Sequence, residues 1–141
     1  MSVNYSGINY SKLIELLEEF EFPYSDTLIE ILYKFDNDDN LEYTFYYKRE
    51  NELIKDIVYK VLTFSKYSQY NIVKTINDIN IDIEGEFFPF IITEEGNYVG
   101  LFVSELGEEA IRLYHSETQE LCSVHNANEE DLTLEDFLNG L

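Results

Sequence analysis

The chain has 141 residues, with 29 Asp and Glu against 9 Lys and Arg, and therefore a formal net charge of −20 at pH 7. This length fits a single domain over residues 1–141, which can bury a core without disulfides or metal. Because phosphate binding needs Lys and Arg to displace counterions, the charge argues against nucleic acid and anionic membranes as partners. It attracts a basic protein, although an acidic surface also serves solubility alone.

The N-terminal part of the chain predicts two helices. Tyr10–Phe20 carries apolar residues at the spacing of an amphipathic helix, and Phe22-Pro23 ends it, since the residue before proline avoids the α region. Thr27–Phe35 repeats the spacing, with Ser25 placed to cap it and the turn formers Asp36–Asn40 to stop it.

The middle of the chain mixes strand and helix patterns. Leu41–Arg49 alternates apolar and polar residues, which predicts a strand. Asn51–Phe64 fits either a strand or a helix, and its concentration of β-branched residues favours a strand over Ile57–Phe64. Ser68–Asn80 returns to helical spacing.

From Gly85 onward the pattern is that of short strands separated by turn residues. The predicted strands are Phe87–Thr93, Tyr98–Ser104, Ala110–His115 and Leu121–His125. Gly96-Asn97 suits a hairpin turn, and Thr133–Asp136 resembles a capping box that begins a last helix. The order predicts an α+β fold: N-terminal helices packed on one face of a mainly antiparallel multi-stranded sheet, and a short C-terminal helix.

The residue types that carry most enzyme chemistry form no recognisable motif. His115 and His125 are the only histidines, and a third metal ligand would have to be Cys122 or an acid at no known spacing. Apolar neighbours make Cys122 a buried, inert thiol, and no serine lies in a G-x-S-x-G setting or near a suitable histidine. We therefore expect no enzyme activity, no catalytic residue, no cofactor and no metal.

Gly96 and Gly100 are the candidates for a ligand-binding glycine loop. They form neither a dinucleotide fingerprint nor a P-loop, and Glu86, Glu94 and Glu95 would repel a phosphate there. Gly100, inside a predicted strand, instead indicates a bulge or close packing against a neighbouring backbone.

Three features predict a cytoplasmic location. Cys122 is the single cysteine, which is typical of a reducing compartment. Met1–Tyr10 lacks the basic and apolar regions of a signal peptide. No apolar run approaches the ~20 residues of a membrane span.

Several short motifs, in their order along the chain, are similar to those of the SUKH superfamily. The segments that resemble the family are Phe22-Pro23, the helix Thr27–Phe35, the strand Phe88-Pro89-Phe90-Ile91, the turn Glu94-Glu95-Gly96-Asn97, the strand Tyr98–Val103, the turn Tyr114–Glu120 and the helix Leu134–Leu141. The chain departs from the family at Asp36-Asn37-Asp38, where Asn-Gly-Gly is usual, at Gln119 in place of Gly, and in having no Trp.

The resemblance implies a binding protein without catalytic activity, because bacterial members of that superfamily neutralise toxin domains, often nucleases or deaminases. It implies a cognate polymorphic toxin domain as the partner of this chain. We therefore expect a cytoplasmic immunity protein, monomeric or weakly dimeric, that covers the basic cleft of a toxin. Charge would speed association and aromatic anchors would slow dissociation from its acidic, Tyr-rich surface.

The acids expected to contact the toxin lie in the C-terminal half, where 16 acids and one base follow residue 77. These partner-binding candidates are Glu94, Glu95, Glu105, Glu108, Glu109, Glu129, Glu130 and Asp131. Two alternatives stay open. One is a regulatory or scaffold module whose partner is not a toxin, and the other is an enzyme with a deep polar pocket.

Overall fold

The computed structural model describes residues 10–19, 42–62, 69–79 and 85–140. Six strands form the largest share of this part, and it also contains three helices. The strands are β1 Thr44–Arg49, β2 Glu52–Val61, β3 Gly85–Thr93, β4 Tyr98–Ser104, β5 Glu109–His115 and β6 Glu120–His125. The helices are α1 Tyr10–Glu19, α2 Ile72–Asp78 and α3 Leu134–Gly140.

The six strands form a closed antiparallel barrel in chain order. The last strand returns to the first, where Tyr46 pairs with His125 and Tyr47 with Val124. The predicted α+β fold, with N-terminal helices packed on one face of a sheet, is therefore wrong, because the closed sheet places its core inside itself. Alternation in the sequence identifies strands but does not show that β6 pairs with β1.

The four predicted C-terminal strands are confirmed to within two residues at each end, and Tyr98–Ser104 agrees at both. The predicted strand Ile57–Phe64 is wrong in its bounds, since β2 begins at Glu52. Glu50 and Asn51, with φ values of 53° and 67°, make the tight turn that starts it. Because glutamate rarely adopts positive φ, the sequence does not predict a turn at this position. The predicted helix 27–35 lies outside the described residues.

The core fills the barrel and is closed at one end by α3. Alternate residues of each strand point inward, as Phe45 and Tyr47 do in β1. Phe137 of α3 is fully buried, with its ring centroid 5.4 Å from that of Phe45 and 5.2 Å from that of Tyr43. A T-shaped aromatic cluster thus plugs the barrel.

The up-and-down order of the strands sorts the connections between two ends of the barrel. We call the end with turns 50–51, 94–97 and 116–119 the upper end. The lower end carries loops 105–108 and 126–133 together with α3. At about 3.3 Å per residue, a strand of the length of β4 holds the two ends roughly 20 Å apart.

Gly100 packs closely against the backbone of β3. It lies opposite Pro89, beside a register shift between Pro89 and Ile91. A Cβ on Gly100 would overlap the carbonyl oxygen of Phe88 and lie 2.7 Å from Cα of Pro89. The sequence prediction of close backbone packing at this glycine is confirmed.

We predict that Gly100→Ala lowers the free energy of unfolding by about 2–3 kcal/mol, because the new methyl group meets backbone rather than a movable side chain. Chemical denaturation measures the loss. Gly107→Asn is the control, since a Cβ there meets nothing within 4 Å and Asn tolerates the φ of +82°. Equal stability of Gly100→Ala and the wild type would contradict the packing at β3.

Candidate functional site

The barrel divides the eight predicted partner-binding acids between its two ends. Glu94 and Glu95 lie in the β3–β4 turn at the upper end, and the other six lie at the lower end. The lower six are Glu105, Glu108, Glu109, Glu129, Glu130 and Asp131, and all of them are exposed. A single flat partner surface of ordinary size would therefore meet the lower group or the upper pair.

The β4–β5 loop presents its acids on a hydrogen-bonded turn. The backbone N–H of Ser104 donates to the carbonyl of Glu108 at 2.9 Å, and the N–H of Glu108 donates to Oγ of Ser104 at 3.1 Å. Leu106 sits at the tip and is 87% exposed. The loop thus holds one large apolar side chain among carboxylates.

Asn126 organises the second acidic loop. Its Oδ1 accepts the backbone N–H groups of Asn128 at 2.9 Å and Glu130 at 3.1 Å. Its Nδ2 donates to Oε1 of Glu130 at 3.1 Å, and its backbone N–H donates to the Glu130 carbonyl at 2.9 Å. The amide side chain therefore fixes the backbone that carries Glu129, Glu130 and Asp131.

We refer to these six carboxylates with Leu106 as the lower acidic surface. Neither residues 105–109 nor residues 126–133 contain a Lys or Arg. Beside it, a cleft of about 540 Å³ opens between β5 and residues 132–135, with Leu101 and Ile111 among its apolar lining and Arg112 among its polar lining. The surface combines negative potential, fixed loops and an apolar contact point.

Ser123, His125 and Asp131 form a polar relay on the outer face of the barrel. Oγ of Ser123 lies 2.7 Å from Nε2 of His125. Nδ1 of His125 lies 3.1 Å from Oδ1 of Asp131, near enough for an ion pair with a protonated imidazole, although the two are not aligned as a hydrogen bond. The sequence analysis missed this pairing, which the i, i+2 spacing on one strand face would have signalled.

The relay has the residue types of a serine hydrolase triad, but its carboxylate is not buried. The Asp131 side chain is 88% exposed, so water screens its charge, whereas the imidazole of His125 is 6% exposed. In a catalytic triad the buried carboxylate orients the histidine and stabilises its charged form. The isolated bridge between His125 and Asp131 instead joins the acidic loop to β6.

We predict that Ser123→Ala leaves the hydrolysis of p-nitrophenyl acetate unchanged and lowers the free energy of unfolding by about 1 kcal/mol, because buried Nε2 loses its hydrogen bond. Ester hydrolysis is followed by absorbance and stability by denaturation in urea. Hydrolysis faster than that of free imidazole, and lost in Ser123→Ala, would show an enzyme instead.

Asn97 is the hub of the upper end. Its Nδ2 donates to Oδ2 of buried Asp56 at 3.1 Å, and its Oδ1 accepts the backbone N–H of Ser116 at 3.1 Å. Its backbone exchanges two hydrogen bonds with Thr93, and Oγ of Ser116 donates to the carbonyl of Gly96 at 2.6 Å. One side chain thus ties β2 to two turns that are distant in sequence.

We predict that Asn97→Ala lowers the free energy of unfolding by about 3 kcal/mol, because it leaves a buried carboxylate and a backbone N–H without their partners. Denaturation in urea measures this. Asn128→Ala, at an exposed position, serves as the control and should change stability by less than about 0.5 kcal/mol. An equal loss of stability in the two variants would contradict the claim that the Asn97 side chain holds β2 and the two turns together.

The fold shows the surroundings of Cys122 and of the possible metal ligands. Cys122 is buried, as the sequence predicted, and burial raises the pKa of its thiol, with the charge of Glu120 adding to the shift and Arg49 opposing it. A raised pKa keeps the thiolate scarce at neutral pH. Among the described residues, no three His, Cys, Asp or Glu side chains are grouped to hold a metal ion.

Comparison with known proteins adds no relative. No protein-family model, curated protein or solved structure matches the chain. The resemblance to the SUKH superfamily therefore stays a prediction from short motifs. Within the part of the chain that the structure describes, no helix is long and apolar enough to cross a membrane.

Proposed function

We propose that the chain is a cytoplasmic protein-binding module that neutralises a basic toxin domain, and that the lower acidic surface is its docking face. The observation that carries this proposal is the concentration of six exposed carboxylates at one end of the barrel, five on two hydrogen-bonded loops and one, Glu109, at the start of β5. A basic cleft that binds nucleic acid is the natural complement of such a surface.

Charge would act mainly on the rate of encounter. Exposed carboxylates form weak individual ion pairs, but their summed field attracts a basic partner over several ångströms at physiological salt. Because hydrogen bonds already order both loops, less conformational entropy is lost when a partner binds.

Leu106 is the residue best placed to slow dissociation. It projects from the centre of the acidic loop, where a partner's apolar pocket would remove it from water. The tyrosines do not supply the expected exposed anchors, since none whose side chain the structure describes is classed as exposed. Among the described residues, Leu106 in its acidic rim therefore supports the proposal better than the tyrosines do.

The alternative is a regulatory or scaffold module that uses the same face for a partner other than a toxin. The two proposed functions differ only in the partner, which harms the cell when it is unbound if it is a toxin and does not if it is a regulated protein. We propose a monomer or weak homodimer in either case, because net repulsion between two chains of charge −20 opposes association.

We predict that reversing Glu105, Glu108 and Glu129 to Lys abolishes capture of the partner from lysate of the source cell and abolishes protection against the toxin it contains. The association rate should fall at least tenfold at low salt, because steering depends on these charges. Stability should change by less than about 0.5 kcal/mol per site, since all three side chains are exposed.

The matched control reverses Glu50, Glu52 and Glu94 at the upper end, which changes the net charge by the same amount. This control variant should still capture the partner. Loss of binding in both triple variants would show attraction by net charge alone, and loss only in the control would move the docking face to the upper end. A partner that is captured but harmless to cells would favour the regulatory module.

A further inference from the structure

A second candidate site lies in the upper mouth of the barrel, about one strand length from the lower acidic surface. It is a cavity of about 530 Å³, which we call the upper cavity. Tyr47 and Ile54 line it from β1 and β2, Glu95 and Asn97 from the β3–β4 turn, and Glu117 from the β5–β6 turn. Mouths of β-barrels are frequent positions for small-molecule sites.

Tyr47 supplies a polar group to this cavity. Its residue is 4% exposed and its ring belongs to the core, while the residue lines the cavity wall. Within the described part of the chain its hydroxyl forms no hydrogen bond, and the oxygen is not among the fully buried atoms that lack a partner, so it is open to the cavity. The hydroxyl is therefore free to accept or donate to a ligand.

Negative charge surrounds that hydroxyl. Asp56 lies opposite Phe45 in the β1–β2 register, so it shares the inner face of the barrel and is 2% exposed. Burial, then the charge of Asp56, and less strongly those of Cys122 and Glu95, raise the pKa of Tyr47, while Arg49 opposes the shift. The field at the cavity floor thus favours a cation.

Asp56 has hydrogen bonds but no cation beside it. Its Oδ1 accepts the backbone N–H of Ile57 at 2.8 Å and its Oδ2 accepts from Asn97. Among the described residues no Lys, Arg or His forms an ion pair with it. Since burying an unpaired carboxylate is costly, a cation bound above it would stabilise the charge.

The remaining lining agrees with a positively charged ligand. The carboxylates of Glu95 and Glu117, with Asp56 beneath, outnumber the single exposed cation Lys55. His115 also lines the cavity, where its Nδ1 lies 3.3 Å from the backbone nitrogen of Thr118 and 2.9 Å from the Thr118 hydroxyl.

The walls of the cavity are held in place before any ligand arrives. Asn97 joins β2 to the turn that carries Ser116, and Ser116 joins back to Gly96. A preorganised site loses little conformational entropy on binding. Ile54 supplies an apolar wall for an alkyl chain.

We propose that the upper cavity binds a small alkyl amine, with its ammonium group donating to the Tyr47 hydroxyl and the Glu95 carboxylate within the field of Asp56. The proposal is independent of the partner at the lower end. It names a ligand class by charge and shape: a primary ammonium on a short aliphatic chain.

Isothermal titration of the full chain with putrescine at low ionic strength tests this site. We expect saturable binding of putrescine and none of succinate, the dianion with the same number of carbon atoms. Glu95→Gln and Tyr47→Phe should each weaken putrescine about tenfold, since each removes one hydrogen bond to a charged group. Thermal unfolding of each variant checks that it is folded.

Glu108→Gln at the lower end is the control, because it makes the same change in net charge as Glu95→Gln and should leave the affinity unchanged. Equal weakening by these two variants would show attraction to net charge and overturn the site. Wild-type affinity in Tyr47→Phe, binding of succinate, or no saturation by putrescine up to about 10 mM would overturn it as well.

Discussion

The pairing of β1 with β6 is the constraint on which the rest of the structure depends. Tyr46 with His125 and Tyr47 with Val124 join the first and last strands of the sheet. Without these pairs both strands would be edges, with unpaired N–H and C=O groups open to other chains. With them, the inner residues of all six strands face one another, and Phe137 closes the lower end of the core.

Closure also separates the chemistry of the two ends. The acids of residues 105–109 and 129–131 lie at the lower end, outside the apolar core, where water can solvate them. At the upper end the inner face itself becomes polar, with Asp56, Tyr47 and Asn97 above the apolar core. One end thus suits a large charged partner, and the other suits a small ligand.

The sequence predicted the strands of the C-terminal half because each alternates over its whole length and ends at turn residues. It did not predict the barrel, because closure depends on a contact between residues about 80 positions apart that no local pattern encodes. It could not assign the acidic segments to the two ends, since that needs the number and direction of the strands.

The polar residues at the upper end and on β6 follow patterns that are visible in the sequence. In β2, Asp56 interrupts an apolar row between Ile54 and Val58, which is the mark of a buried carboxylate on an inner face. Ser123 and His125 share a face by the same two-residue period. Neither pattern predicts the partner residue, because Asn97, which binds Asp56, and Asp131, which lies beside His125, come from other segments.

Amide hydrogen exchange in β1, resolved by residue, tests the closed barrel most directly. A strand paired on both sides protects every amide, whereas an edge strand protects only alternate ones. We expect slow exchange at each of Phe45, Tyr46 and Tyr47, with matching protection at Val124 and His125. Fast exchange at alternate residues of β1 would show an open sheet and would contradict the division of the molecule into two ends.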